Sequence, residues 1–474
     1  MRKLLLLVFL ALILAACGGT GAEDIVEEYP NGVGATAPVA QPTEPAEEIP
    51  PPHRFAGHES SIPLDEAAEF FALAEAAWDE DGGELWGIPL HVPLIFADVT
   101  TRHAVANTSA GGLFYRQGDV YVGILPDNVA IWNTSANFEG LSWGMMTWAL
   151  AESLDDRGAL QILVHEAFHA VQYRILSTQV VNMPSGLMDY LDARVLVMLE
   201  TNALLAAIRA QGEERTQAIT DALSFRAERR ARHRGHRAAE ISIEISEGLA
   251  VFTDLKLVFR DMDEILEWLE DYISQHAGSS GLRGFGYFTG ALYAMLLQES
   301  GADWQNDLCT NVDLAQLLRE ALSIDELRPF DEIDLELYGY AEITAVETAW
   351  LAEADRIIEG AEAVLPDRLL LLLHGAYAHT NVHFEVLSIT NPEAIIPVPH
   401  VVYYGNLEIY GSWGRIAFVG GYIRPIFNPL GLAVSAMDMV IDGNVVTAPT
   451  WVLTLNEGYS LLELPNGNFR AAYN

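Results

Sequence analysis

The chain has 474 residues and a mass of 52.0 kDa, enough for two or three domains, and 50% of it is apolar, which excludes a wholly disordered protein. Against 66 acidic residues stand only 26 basic ones, a net charge of −40, and lysine occurs only at Lys3 and Lys256. Such a surface repels phosphate backbones and anionic head groups, which argues against nucleic acid as a partner and against a polybasic membrane patch.

In chain order, Arg2 and Lys3 precede an apolar run from Leu4 to Leu14 that is too short to span a bilayer comfortably. Leu14-Ala15-Ala16-Cys17 follows and resembles a bacterial lipobox. That resemblance implies a signal peptide over 1–16, lipidation of Cys17, and an extracytoplasmic protein held to the cell membrane by its lipid. Residues 17–56 carry seven prolines and seven acids with no positive charge before Arg54. Proline stiffness and like-charge repulsion keep such a segment extended, so it reads as a tether. With Cys17 acylated, Cys309 has no partner in its own chain, and no internal disulfide is expected.

Residues 57–364 read as a mixed α+β catalytic domain. A helix opens at Pro63-Leu64-Asp65 with an apolar stripe at Ala68, Phe71, Leu73, Ala76 and Trp78. Strands are expected at Val92 to Ala97, Gly112 to Tyr115 and Val120 to Leu125. Asp155 and Asp156 stand at the entry of a long helix running to about Leu176. Further helices are expected near Leu187–Ala210, Ala218–Arg230, Ala238–Phe259, Tyr287–Glu299, Leu314–Leu322 and Ile343–Ala363. After Pro366 short alternating runs separated by Gly, Asn and Pro predict a β-rich domain over 365–474, most simply a small sandwich or barrel.

The chemistry concentrates in Val164-His165-Glu166-Ala167-Phe168-His169. Residues four apart share a helix face, so both imidazoles can reach one ion, and the glutamate beside the first can reach water bound there. Zinc suits this donor set, because lowering the pKa of its water toward 7 creates a nucleophile for a carbonyl carbon. A third ligand has to come from another element. The segment Glu240-Ile241-Ser242-Ile243-Glu244-Ile245-Ser246-Glu247-Gly248-Leu249-Ala250 sets three carboxylates on one helical stripe, where they repel one another. Something positive should face them: the arginines between Arg226 and Arg237, or a zinc ion. His233 and His236, amid those arginines, are expected to be solvated. His379 and His383 are also four apart, but in a strand-like region where that spacing does not focus two imidazoles, so no second metal site is read there.

Glu247-Gly248-Leu249-Ala250 looks like the third-ligand segment of gluzincin metallopeptidases. Together with the His-Glu-x-x-His helix, the preceding Asn133-Thr134-Ser135 and Trp143 to Trp148 stretches, and Tyr287-Phe288-Thr289-Gly290-Ala291, it resembles uncharacterised bacterial lipoproteins of the zincin superfamily. The resemblance implies a zincin-like domain holding one Zn²⁺ through His165, His169 and Glu247, with Glu166 as general base and proton shuttle. Glu244 and Glu240 would then orient a metal-bound histidine or an arginine. Catalysis of this kind also needs a donor to the oxyanion. Tyr287 is the first candidate, since Gly284, Gly286 and Gly290 allow a close approach to the metal, and Tyr293 is the second. No Gly-x-Met-x-Asn segment is present, so exopeptidase activity has no support. The expected function is a lipid-anchored zinc metallopeptidase acting on peptide or protein substrates. The rivals are an inactive zincin-scaffold lipoprotein used for binding and a zinc amidase acting on cell-wall peptides.

Overall fold

In the computed structural model the described residues are 60–364, apart from 99–100, 127–128, 130, 177–186, 260, 277–281 and 310. Beyond these lie the strands of a C-terminal region between 368 and 473. Cys17, the tether, His379 and His383 lie outside the described residues.

The first helix, α1 (Leu64–Asp81), starts behind Pro63, carries Asp65 and Glu66 in its first turn, and stops at Gly82, whose φ of 58° is the left-handed conformation of a helix end. It buries Ala67, Phe71, Ala74 and Trp78. That stripe is rotated from the expected one, and Leu73 faces solvent.

Six short strands then form one sheet: β1 (Leu94–Ala97), β2 (His103–Ala106), β3 (Tyr115–Gln117), β4 (Val120–Ile124), β5 (Thr134–Phe138) and β6 (Leu141–Thr147), in the order β3-β4-β2-β1-β6-β5. Every pairing is antiparallel except β1 with β6. The pleat divides the side chains. Leu94, Phe96, Val105, Val122 and Met146 face the main helical core, while Ile95, Ala97, Ala104, Trp143 and Met145 join a smaller apolar cluster on the other face. A strand over Gly112 to Tyr115 does not form, because Gly111 and Gly112 take φ values of 60° and 95°; the strand starts at Tyr115 instead.

The helices follow: α2 (Trp148–Ser153), α3 (Asp156–Leu176), α4 (Leu191–Arg209), α5 (Gly212–Arg232), α6 (Arg237–Ile243), α7 (Leu249–Val258), α8 (Met262–His276), α9 (Leu282–Ser300), α10 (Leu314–Ala321) and α11 (Tyr340–Val364). Asp155 caps α3, its carboxylate accepting from the Gly158 N–H at 2.9 Å. The helix expected over Ala238–Phe259 is split into α6 and α7 by a π turn, Glu244–Gly248, in which the Leu249 N–H donates to the Glu244 carbonyl five residues back. Helices α2 and α8 and strands β2, β5 and β6 come in addition to the expected elements.

After Val364 every described element is a strand. Thirteen of them form a seven-stranded and a six-stranded sheet, the second centred on Gly414–Val419 and Trp451–Leu455. The described chain is thus a mixed α+β protein with a β-rich C-terminal region.

Candidate metal centre

Helix α3 is buried nearly all round, since it lies between the sheet and α7. Gly144 of β6 makes the sheet contact possible: a Cβ there would sit 3.0 Å from the Ala167 backbone nitrogen. Glu166, the residue before that contact, is wholly buried, and His165 is 5% exposed.

The π turn brings Glu247 to the histidines. His165 Nε2 and His169 Nε2 are 3.2 Å apart, and Glu247 Oε2 lies 3.6 Å from the first and 3.4 Å from the second. The outward ring nitrogens are spoken for. His165 Nδ1 is 3.0 Å from Asp254 Oδ2, and a carboxylate only accepts, so Nδ1 carries the proton. His169 Nδ1 is 3.3 Å from Gln172 Oε1, whose amide nitrogen donates to the carbonyls of Ile245 and Ser246 at 2.8 and 2.9 Å. In the neutral rings both Nε2 lone pairs therefore converge on the Glu247 carboxylate, an arrangement that repels itself unless a cation lies among them.

A four-coordinate ion with ligands at 2.0–2.2 Å has ligand atoms about 3.3–3.6 Å from one another. Two of the three separations fall at that spacing and the third, 3.2 Å, lies just under it, so His165, His169 and Glu247 can hold one metal ion. Without a metal the site retains a proton instead. Burial opposes charge on His165, but the hydrogen bond its Nδ1 donates to Asp254 and the nearby carboxylates of Glu247 and Glu166 push its pKa up to about 10.

The other two acids of the stripe turn away. Glu244 accepts from both Arg226 Nη atoms and from Thr289 Oγ1 at 2.7 Å, and Glu240 accepts from Arg229 and Arg230 at 2.7 and 2.8 Å. Both thus serve arginines and leave His165 and His169 to Asp254 and Gln172, two residues that sequence reasoning missed. Burial works against ionised Glu240, yet Arg229, Arg230 and Arg226 draw its carboxyl down to about 2. Of the positive groups expected to face the stripe, the arginines thus meet Glu240 and Glu244, and Glu247 instead faces the histidine pair.

Tyr287 is 3% exposed and its ring lies parallel to His165 at 5.7 Å. It lines a small pocket together with Gln161, Asp254, Trp268 and Tyr272. The glycines near it serve helix packing: Gly286 lies against Ile243, and Gly290 against Glu244 and Gly248. Tyr293 is placed away from the three ligands, donating to Glu200 at 2.7 Å among the buried arginines. His233 is half-buried rather than solvated, since its Nε2 pairs with Asp192 at 3.0 Å and its ring packs on Tyr190. Cys309 is a free, exposed cysteine.

Comparison with known proteins finds no matching family model, no matching curated protein and no matching solved structure.

Proposed function

We propose that the chain is a zinc-dependent metallopeptidase with a zincin-like catalytic domain, anchored outside the cytoplasm through lipidated Cys17. The observation that carries the reading is the convergence of His165, His169 and Glu247 at tetrahedral spacing, with buried Glu166 beside them. A zinc ion there supplies Lewis acidity toward water and toward a carbonyl oxygen. The chain's own residues do the remainder. Asp254 and Gln172 hold the two imidazoles as lone-pair donors. Glu166 accepts the proton of the attacking water on its carboxylate and returns it to the leaving amine. Tyr287, packed on the His165 ring, is the candidate donor to the oxyanion.

Strand β5 supports a polypeptide as the substrate. It is an edge of its sheet among the described residues, packs against α3, and is only partly buried along its length. A groove of about 750 Å³ is bordered by Thr134, Asn137, Phe138 and Glu139 of this hairpin and by Pro126 and Val129. An extended peptide can add to such an edge as a further strand, its main chain hydrogen-bonded whatever its side chains.

Metal analysis and a peptide-library assay on the soluble body test the reading. His169→Ala and Glu247→Ala should lose zinc, and Glu166→Gln should keep zinc and lose hydrolysis, because Gln preserves shape without accepting a proton. A zinc-loaded parent that cleaves nothing would turn the assignment to a binding scaffold. Cys17→Ser should release the full chain from membranes, and continued fatty-acid labelling of that variant would refute the anchor.

A further inference from the structure

Arg226, Arg229, Glu200, Glu240 and Glu244 are each no more than 3% exposed, and Asp313 is 6% exposed. Burying so many ions gains little stability over an apolar core of the same volume, so their geometry is the informative part. Arg226 of α5 spans Glu200 of α4 and Glu244, the first residue of the π turn. Thr289 of α9 donates its one hydroxyl proton to the same Glu244 carboxylate at 2.7 Å, with the Phe285 carbonyl 3.0 Å away as the alternative acceptor. From the opposite side Gln172 of α3 donates to the Ile245 and Ser246 carbonyls, inside the turn. The turn is thus gripped at its first three residues from three helices, and Glu247 is the next residue along.

A π turn is a less favourable arrangement than a continuous helix and persists where its surroundings enforce it. Were it to relax into an α-helix, Glu247 would return to the face of Glu240 and Glu244, the one turned to the arginines. We infer that Arg226, Thr289 and Gln172 act as positioning residues that hold the π turn open and so present Glu247 to the metal. This inference rests on the zinc-site reading above and extends it to residues that touch no ligand atom of Glu247.

The test is the zinc dissociation constant of the soluble body, by chelator competition, measured beside the melting temperature of the zinc-free protein. Thr289→Val keeps shape and removes only the hydroxyl, so it tests the grip alone; Gln172→Met removes the grip on the two carbonyls together with the contact to His169 Nδ1, so its loss is expected to be the larger. Each should weaken zinc binding about tenfold or more, and Thr289→Ser should restore the parental constant. A residue that only packs the fold would lower the melting temperature and leave zinc affinity within twofold of the parent, which overturns the inference. Should Gln172→Met not fold, the contrast of Thr289→Val with Thr289→Ser decides alone. A parent that binds no zinc would remove the metal-site reading and this inference together, whereas a zinc-binding parent with unaffected variants removes this inference only.

Discussion

Asp254 and Gln172 fix which nitrogen of each histidine is left with a lone pair, and this is a stronger constraint on the site than the histidines' own spacing. Replacing Asp254 by Asn lets the His165 ring choose either tautomer, and half of that choice turns a proton toward the metal. Asp254→Asn should raise the zinc dissociation constant about 10- to 100-fold, read by chelator competition; an unchanged constant would mean that Asp254 merely packs. Tyr287 is separable in the same way. Tyr287→Phe keeps the ring on His165 and removes one hydroxyl, so loss of an oxyanion donor predicts about a hundredfold fall in kcat/KM with zinc retained. A parental rate in that variant would leave Tyr287 as a wall of the His165 pocket.

Among the elements, the π turn and α9 cross with their backbones in close approach. A Cβ on Gly290 would lie 2.7 Å from the Glu244 carbonyl oxygen and 2.8 Å from Gly248 Cα, both backbone atoms that cannot swing aside. Gly290→Ala should therefore cost about 1–3 kcal/mol in thermal or urea unfolding, and a melting temperature equal to the parent's would show that the crossing yields freely. This crossing also marks where sequence reading stops. The His-Glu-x-x-His helix was legible because its chemistry is written at i and i+4 within one element. The acidic stripe was legible as a cluster, but an α-helical period places all three acids on one face. One widened turn sends Glu247 to the histidines and leaves Glu240 and Glu244 to the arginines, and no periodicity argument contains that turn. Asp254 escaped notice because its partner is set by how α7 lies across α3. Strands β5 and β6 escaped because Thr134–Phe138 is partly buried throughout and Trp143–Thr147 is buried on both faces, so neither alternates cleanly.

At the scale of the whole molecule, acid relieves the repulsion among the surplus of 40 negative charges but discharges the carboxylates that pair with buried arginines. Glu240 and Asp313 are each drawn down to about 2 by buried arginines, from ordinary values of 4.5 and 3.8. For depressed carboxylates the stabilisation is whole above the unfolded-state value and disappears as pH falls through the folded-state one. The stabilisation supplied by these two carboxylates should hold above pH 4.5 and fall between there and about pH 2, by about 3 kcal/mol for Glu240 alone. Denaturant unfolding at stepped pH checks this, and a Glu240→Gln variant with the parental slope in that window would contradict it.

The parallel pairing of β1 with β6, the one such pair in its sheet, has a kinetic side. Leu94 meets Gly144 and Ala97 meets Thr147 across an excursion that contains β2 to β5, so this strand pair closes a long loop before it gains any contact. Gly144 is also the floor on which Ala167, the neighbour of Glu166, rests. The two histidines and Glu247 are farther apart still along the chain, so the three ligands meet only once distant elements have packed. An ion that recognises them arrives too late to hasten folding and acts on escape from the native state. Zinc added during refolding should leave the refolding rate as it is and slow unfolding in proportion to its affinity, so that the metal works as a latch on a finished molecule.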